Sequence, residues 1–182
     1  MNLQNNDGMT AVSPTMPPAL NVLFLCTHNS ARSILAEALL NHLGEGRFRA
    51  FSAGSSPREH QQPHPFALDA LRQAGVSVEG VHSKSWDVFA QPDAPVMDLV
   101  ITVCDSAAGE TCPYWPGQPA TAHWGYADPS AAPGSDDERR AAFALTLQRM
   151  RARLLALVRL PLARGDRQAL AQAARALAEG DA

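Results

Sequence analysis

The sequence predicts a single α/β domain: a central parallel sheet with helices on both faces. Three observations carry this. Residues 20–25 (LNVLFL) form a short, almost wholly apolar run, the pattern of a strand buried on both sides. Apolar residues at helical spacing follow at once, in Ile34, Leu35, Ala38, Leu39 and Leu43. The same alternation of strand and helix then recurs downstream, which implies a parallel sheet covered on both faces.

The elements follow in order. Gly44 stops the first helix. Residues 47–53 (RFRAFSA) read as a second strand, closed by Gly54. Residues 65–74 read as a helix, with Pro65 in its first turn and Gly75 beyond its end. Residues 97–103 (MDLVITV) are a third strand, and 121–126 (TAHWGY) a weaker fourth. Residues 136–158 carry a long helical pattern, with Phe143, Leu147, Met150, Leu154 and Val158 on one side and Pro161 as its stop. The chain is accordingly divided into a polar, Pro-rich arm expected to be disordered (1–18), a catalytic domain (19–160) and a tail (161–182). That tail forms a short helix over 166–178 or frays.

Bulk properties exclude several functions. With 46% hydrophobic residues in 182, the chain can build a full core. Lys+Arg 15 against Asp+Glu 18 leaves a net charge of −3, so neither nucleic acid nor an anionic membrane is expected as partner. No run reaches the roughly 18 apolar residues of a membrane span, and the first residues have no basic start or apolar core like those of a signal peptide. The three cysteines, Cys26, Cys104 and Cys112, are an odd number for a structural disulfide framework. A reducing, cytoplasmic setting is expected, with thiols kept for chemistry or packing. No cofactor is called for. No His/Cys cluster has zinc-like spacing, so no metal is expected either.

In parallel sheets ligands sit beyond the carboxyl ends of strands. Cys26 and Cys104 each directly follow a strong strand, so both are placed at one rim of the sheet. Between the first strand and helix lies Cys26-Thr27-His28-Asn29-Ser30-Ala31-Arg32-Ser33, a C-x5-R-S pattern. A loop in that position turns successive backbone N–H groups inward, and the helix N-terminus adds positive potential. Arg32 can fork onto two oxygens of a tetrahedral anion. The same field is expected to depress the Cys26 pKa, with Ser33 donating to the thiolate. Asn29 tolerates a left-handed backbone and can pin the loop. C-x5-R alone recurs by chance; the strand–loop–helix context gives the pattern its weight.

From Asn21 to Val158 the chain resembles the low-molecular-weight tyrosine phosphatases and the arsenate reductases that share their fold. VLFLCTHNSARS is similar to their phosphate loop, and Glu37, Ser52-Ala53-Gly54 and Asp128-Pro129 fall where the family has counterparts. The resemblance implies that Cys26 is the nucleophile, that the residues from Thr27 to Ser33 bind the anion, and that Asp128 is a general acid on a mobile segment. Two positions depart from it: His28, often Gly, and Ala31, where many relatives carry another cysteine. His28 is expected to face solvent. His123 beside Trp124 reads as structural, in an HWG context similar to the reductases'. Some relatives bind potassium at positions that resemble Asn29, Glu37 and Ser52; around Lys84-Ser85-Trp86-Asp87 the fourth ligand is ambiguous, and no ion is assigned.

Residues 103–113 (VCDSAAGETCP) resemble the redox segment of thioredoxin-coupled arsenate reductases. The resemblance implies that Cys104 attacks an arseno-Cys26 adduct, and that Cys112 then carries the disulfide outward. The expected activity is therefore reduction of arsenate to arsenite, with phosphate or sulfate competing. Two nearby resolving cysteines favour thioredoxin over glutaredoxin as reductant. Small residues, Ser130 and Ala131, follow Asp128-Pro129 where the phosphatases carry ring-sandwiching aromatics, although Tyr126 or Trp124 could serve from another side. Two other functions compete: a phosphotyrosine phosphatase working through a cysteinyl-phosphate, and a non-catalytic oxyanion sensor. If the stretch from Cys104 to Cys112 is helical, its ends lie about 12 Å apart, too far for a disulfide. Gly109 and Pro113 would let it unwind.

Overall fold

A computed structural model describes residues 17–111, 113 and 115–180. Cys112 and most of the expected N-terminal arm lie outside the described residues. The order of elements is β1 (Leu20–Cys26), α1 (Arg32–Leu43), β2 (Phe48–Gly54), α2 (Pro65–Gln73), β3 (Leu99–Thr102), α3 (Asp105–Ala108), β4 (Ala120–His123), α4 (Asp136–Arg159) and α5 (Arg167–Glu179). Single 3-10 turns occupy Trp86–Ala90 and Pro129–Ala131. The strands form one parallel sheet in the order β2-β1-β3-β4. The predicted fold class is what the chain adopts.

β1 is the central strand, and its side chains alternate between two cores. Leu20, Val22 and Phe24 face the larger one, with Ile34, Leu35 and Leu39 of α1, Leu71 of α2, and Phe143, Met150 and Leu154 of α4. Leu23 and Leu25 face a smaller one closed by Phe89, Met97 and Trp115. Both faces of β1 are thus dry, which is why its sequence is apolar without alternation.

Element ends follow local chemistry. α4 opens with a capping box: Ser135 Oγ accepts from the Glu138 N–H while Glu138 accepts from the Ser135 N–H. α2 starts at Pro65 behind His64, whose ring nitrogen accepts the Phe66 N–H at 3.1 Å. It is followed by Gly75 at φ +72°. β4 ends three residues earlier than expected, at His123, yet the pairing runs on. The Trp124 N–H donates to the Thr102 carbonyl at 2.8 Å and the Tyr126 N–H to that of Val103 at 3.2 Å. Its outward positions, Thr121 and His123, are exposed, which explains the weak hydrophobic signal.

The tail does not fray. α5 buries Leu170 and Ala174 against the main core and packs along β4, and the Trp124 indole N–H donates to the Ala174 carbonyl at 2.8 Å. Its stripe is short, so one residue matters. Leu170→Ala removes the side chain that seats α5. The expected loss is about 2–4 kcal/mol of unfolding free energy, measured by urea titration with tryptophan fluorescence. A loss under about 0.5 kcal/mol would mean that α5 is a detachable tail.

Candidate active site

The C-terminal ends of β1 and β3 lie side by side, because β1 pairs with β3 from Val22↔Leu99 to Leu25↔Thr102. The segments that leave them therefore meet at one rim. Cys26 and Cys104 are both buried there, and the Thr27 hydroxyl lies 3.6 Å from Cys104 Sγ. Above them is a cavity of about 210 Å³ lined by Cys26, Thr27, His28, Ser30, Ala31, Arg32, Ser106, Asp128 and Ser130.

The loop between β1 and α1 is shaped by Asn29, a buried non-glycine residue at φ 53°. The α1 N-cap is Ala31, which offers no side-chain bond to the first turn. The N–H groups of that turn therefore stay available to the loop interior. The Asn29 N–H points at Cys26 Sγ at 3.2 Å, and Ser33 Oγ stands 2.8 Å from the same sulfur. The Asn29 carboxamide donates to Ser33 Oγ at 2.8 Å and to Ser52 Oγ at 2.9 Å. Both serine oxygens are thereby used as acceptors, so their hydrogens point outward: Ser33 to the sulfur, Ser52 to Glu37. Asn29 and Ser33 stand behind the sulfur and do not line the cavity. His28, expected to face solvent, is half-buried and does line it.

The expected depression of the Cys26 pKa is not what the site shows. Burial pushes the thiol up, and the Cys104 sulfur adds to that. The Ser33 hydroxyl and the backbone N–H groups of Ser33 and Asn29 pull it down, by less. Burial is the largest cause, and Arg32 has partners of its own. Its guanidinium donates to the Tyr126 carbonyl at 2.9 Å and stands 3.4 Å from Asp128 Oδ2. The cation that was to hold a thiolate is engaged by a carboxylate across the cavity. Asp128 itself caps the Pro129–Ala131 turn, with Oδ1 accepting from the Ser130 N–H at 3.0 Å and its hydroxyl at 2.7 Å.

Behind the loop, Glu37 is buried and accepts from Ser52, with Lys84 Nζ at 3.9 Å. Burial raises the Glu37 pKa against the pull of Lys84, and burial lowers that of Lys84 against the pull of Glu37. The Lys84 backbone N–H meets Asn29 Oδ1 at 2.9 Å. These residues do not fit a potassium ion, since the amide oxygen is already bonded and an ammonium stands against the carboxylate. Lys84 could not be assigned from sequence, because its partner lies 47 positions away. Ser106 lies within the segment 103–113 already marked by its resemblance, but nothing in the sequence singled it out as a residue of the cavity. Trp124 is fully buried against α5 and provides no wall for a ligand.

α3 spans only Asp105–Ala108, with the Gly109 N–H returning to the Asp105 carbonyl at 3.2 Å. The fully helical stretch considered above does not form, because Gly109 closes the helix after a single turn. Among the described residues, no group of three or more His, Cys, Asp or Glu side chains could hold a metal. No helix among them is long and apolar enough to cross a membrane.

An acid whose pKa is raised by folding binds its proton more tightly in the folded state. Its stabilising effect is therefore full below the ordinary thiol value and is lost as pH rises through the folded value. In anion-free protein, alkylation of Cys26 should accordingly reach half-maximum above the ordinary ~8.5 of a free thiol. Ser33→Ala, which removes a donor to the sulfur, should move it higher still. The measurement is residue-resolved iodoacetamide labelling against pH by mass spectrometry. Saturation below neutral pH would show that the loop field outweighs burial.

Known proteins are similar along most of the chain. Residues 21–170 match the family model described as low molecular weight phosphotyrosine protein phosphatase. An arsenate reductase of Bacillus licheniformis is 37% identical over 123 residues, 67% of this chain and 83% of that protein. A solved arsenate reductase in the phosphate binding state superposes with a TM-score of 0.58 at 25% identity, covering 77% of this chain and 97% of the other. A thioredoxin-dependent arsenate reductase of Corynebacterium glutamicum does so with a TM-score of 0.56 at 26% identity, covering 81% and 66% respectively.

Proposed function

The chain belongs to the low molecular weight phosphotyrosine protein phosphatase family, and we propose that within it this protein reduces arsenate to arsenite. The observation that carries the reading is the second buried thiol. Cys104 sits at the rim of the loop that holds Cys26, with Thr27 between them. Hydrolysis of a cysteinyl-phosphate has no use for that thiol; a two-electron reduction needs it.

In this mechanism arsenate enters the cavity over Cys26 and takes up Arg32 and the loop N–H groups. The Cys26 thiol loses its proton as its sulfur bonds to arsenic, and one arsenate oxygen departs as water with a proton from Asp128. Cys104 then attacks the Cys26 sulfur. A sulfur–sulfur bond forms, the sulfur–arsenic bond breaks, and its electron pair stays on arsenic. Arsenic(V) becomes arsenic(III) as two thiols become one disulfide. Cys112, outside the described residues, takes the disulfide onward to thioredoxin, which fits a thiol-based enzyme of the reducing cytoplasm. Phosphate and sulfate compete for the same cradle.

The phosphatase alternative has one observation in its favour. Beside the cradle, and sharing His28, Ser30, Asp128 and Ser130 with it, lies a trough of about 530 Å³ that could take the organic part of a phosphate ester. Apart from the imidazoles of His28, His60 and His64, no aromatic side chain among the described residues lines it, so no Phe, Tyr or Trp face is offered to a phenyl ring. Hydrolysis of such esters is a side reaction in this reading.

Two assays run in parallel decide between them: arsenate-dependent NADPH oxidation with thioredoxin and its reductase, and phosphotyrosine hydrolysis. NADPH oxidation is expected for the wild type and none for Cys104→Ser, which should still form the Cys26 adduct. Asp128→Asn should slow turnover about 10²–10⁴-fold with phosphate protection of Cys26 retained. Rapid phosphotyrosine hydrolysis without thiol consumption would falsify the reductase reading.

A further inference from the structure

Outside the cradle, one polar constellation joins three elements and has no part in the mechanism above. Thr102 and His123 stand directly opposite each other in the β3–β4 ladder. The Thr102 hydroxyl meets His123 Nδ1 at 2.8 Å, and His123 Nε2 meets Asp105 Oδ1 at 2.9 Å. The polarity follows from the end groups. A carboxylate only accepts, so Nε2 carries hydrogen; in the neutral ring Nδ1 is then the acceptor, and Thr102 donates to it. Asp105 is the first residue of α3, immediately after Cys104, which is that helix's N-cap.

We propose that His123 is a positioning residue for Cys104: with Thr102 and Asp105 it forms a latch that clamps the first turn of α3 to the sheet rim. The role rests on the reading of Cys104 as the second thiol. The latch is anchored at one end and loose at the other. Thr102 is 9% exposed within the sheet, whereas the Asp105 side chain is 93% exposed. A contact open to water at one end is weak enough to release. α3 also has somewhere to go. Ala108 and His123 border the same groove of about 550 Å³, which runs past Trp115 to Arg175 and Glu179 of α5. A closed latch keeps Cys104 buried beside Thr27; an open one lets the turn that carries it swing toward that groove.

Gly125 supplies an independent handle. A β-carbon there would stand 3.0 Å from Asp105 Oδ1 and 3.1 Å from His123 Nε2, and it would meet no other described part of the site within 3.4 Å. Gly125→Ala therefore wedges the latch without removing any of its hydrogen-bonding atoms.

The test is timed alkylation of the full reduced chain with iodoacetamide, with Cys26 and Cys104 followed separately by mass spectrometry. Asp105→Ala and Gly125→Ala should each raise the Cys104 rate roughly three- to tenfold, the range expected for one lost hydrogen bond. The Cys26 rate and its protection by phosphate should not change. Asp105→Asn keeps an acceptor oxygen, so it should label like the wild type. In a single turnover with one equivalent of arsenate, Asp105→Ala should release arsenite more slowly while forming the Cys26 adduct at the normal rate. Unchanged Cys104 labelling in both latch variants overturns the proposal, and so does a joint rise at both cysteines, which marks general loosening. If labelling changes as expected but even the wild type releases no arsenite, the latch stands and the reductase reading falls.

Discussion

The loop depends on one carboxamide. Asn29 is buried with a left-handed backbone, and every polar atom it has is used. Its side-chain NH2 reaches Ser33 and Ser52, its side-chain oxygen takes the Lys84 N–H, its carbonyl takes the Ser83 hydroxyl at 2.6 Å, and its own N–H faces Cys26. A donor at the centre forces both serine hydroxyls to point away from it. One ends on the sulfur and the other on Glu37. An aspartate of the same shape could not donate, and both serines would turn inward. The ordering of the nucleophile and the ordering of the charged pair behind it are therefore one event.

The rim geometry follows from strand order. β1 is flanked by β2 and β3, so the turn that leaves β3 must land beside the loop that leaves β1. Two thiols 78 positions apart become neighbours through backbone pairing, with no disulfide between them. The second of them sits at the end of a helix of four residues, so the part of the site that must move is the part with the least regular structure.

Much of this was legible in the sequence, and the gaps have physical causes. The apolar run of β1, Pro65 and Gly75 around α2, and the long stripe of α4 read correctly because each is a local signal. β4 read weakly because half of its side chains face water. The tail was ambiguous because α5 buries only Leu170 and Ala174 fully. Arg32 was recognised as part of the loop, but its pairing with Asp128 is a tertiary fact, 96 positions distant, and the burial that raises the Cys26 pKa is equally a product of packing. Lys84 against Glu37, and the Thr102–His123–Asp105 contact, are likewise invisible until the sheet is assembled. A motif shows which groups are present; which charges cancel is decided by packing.

Gly54 illustrates a different constraint. It ends β2 opposite Cys26, and its backbone is not in the left-handed region. A β-carbon there would stand 2.7 Å from the Thr27 carbonyl oxygen, 2.9 Å from the His28 carbonyl carbon and 3.0 Å from the Asn29 nitrogen. All three obstacles are backbone and cannot rotate aside. The position is reserved for clearance, whereas Gly75, at φ +72° with nothing nearby, is reserved for conformation. The two glycines should therefore behave differently in a saturation library. Asparagine, which tolerates positive φ, can substitute at 75. At 54 no side chain of any chemistry can enter without displacing the anion loop, so tolerance there should be nil.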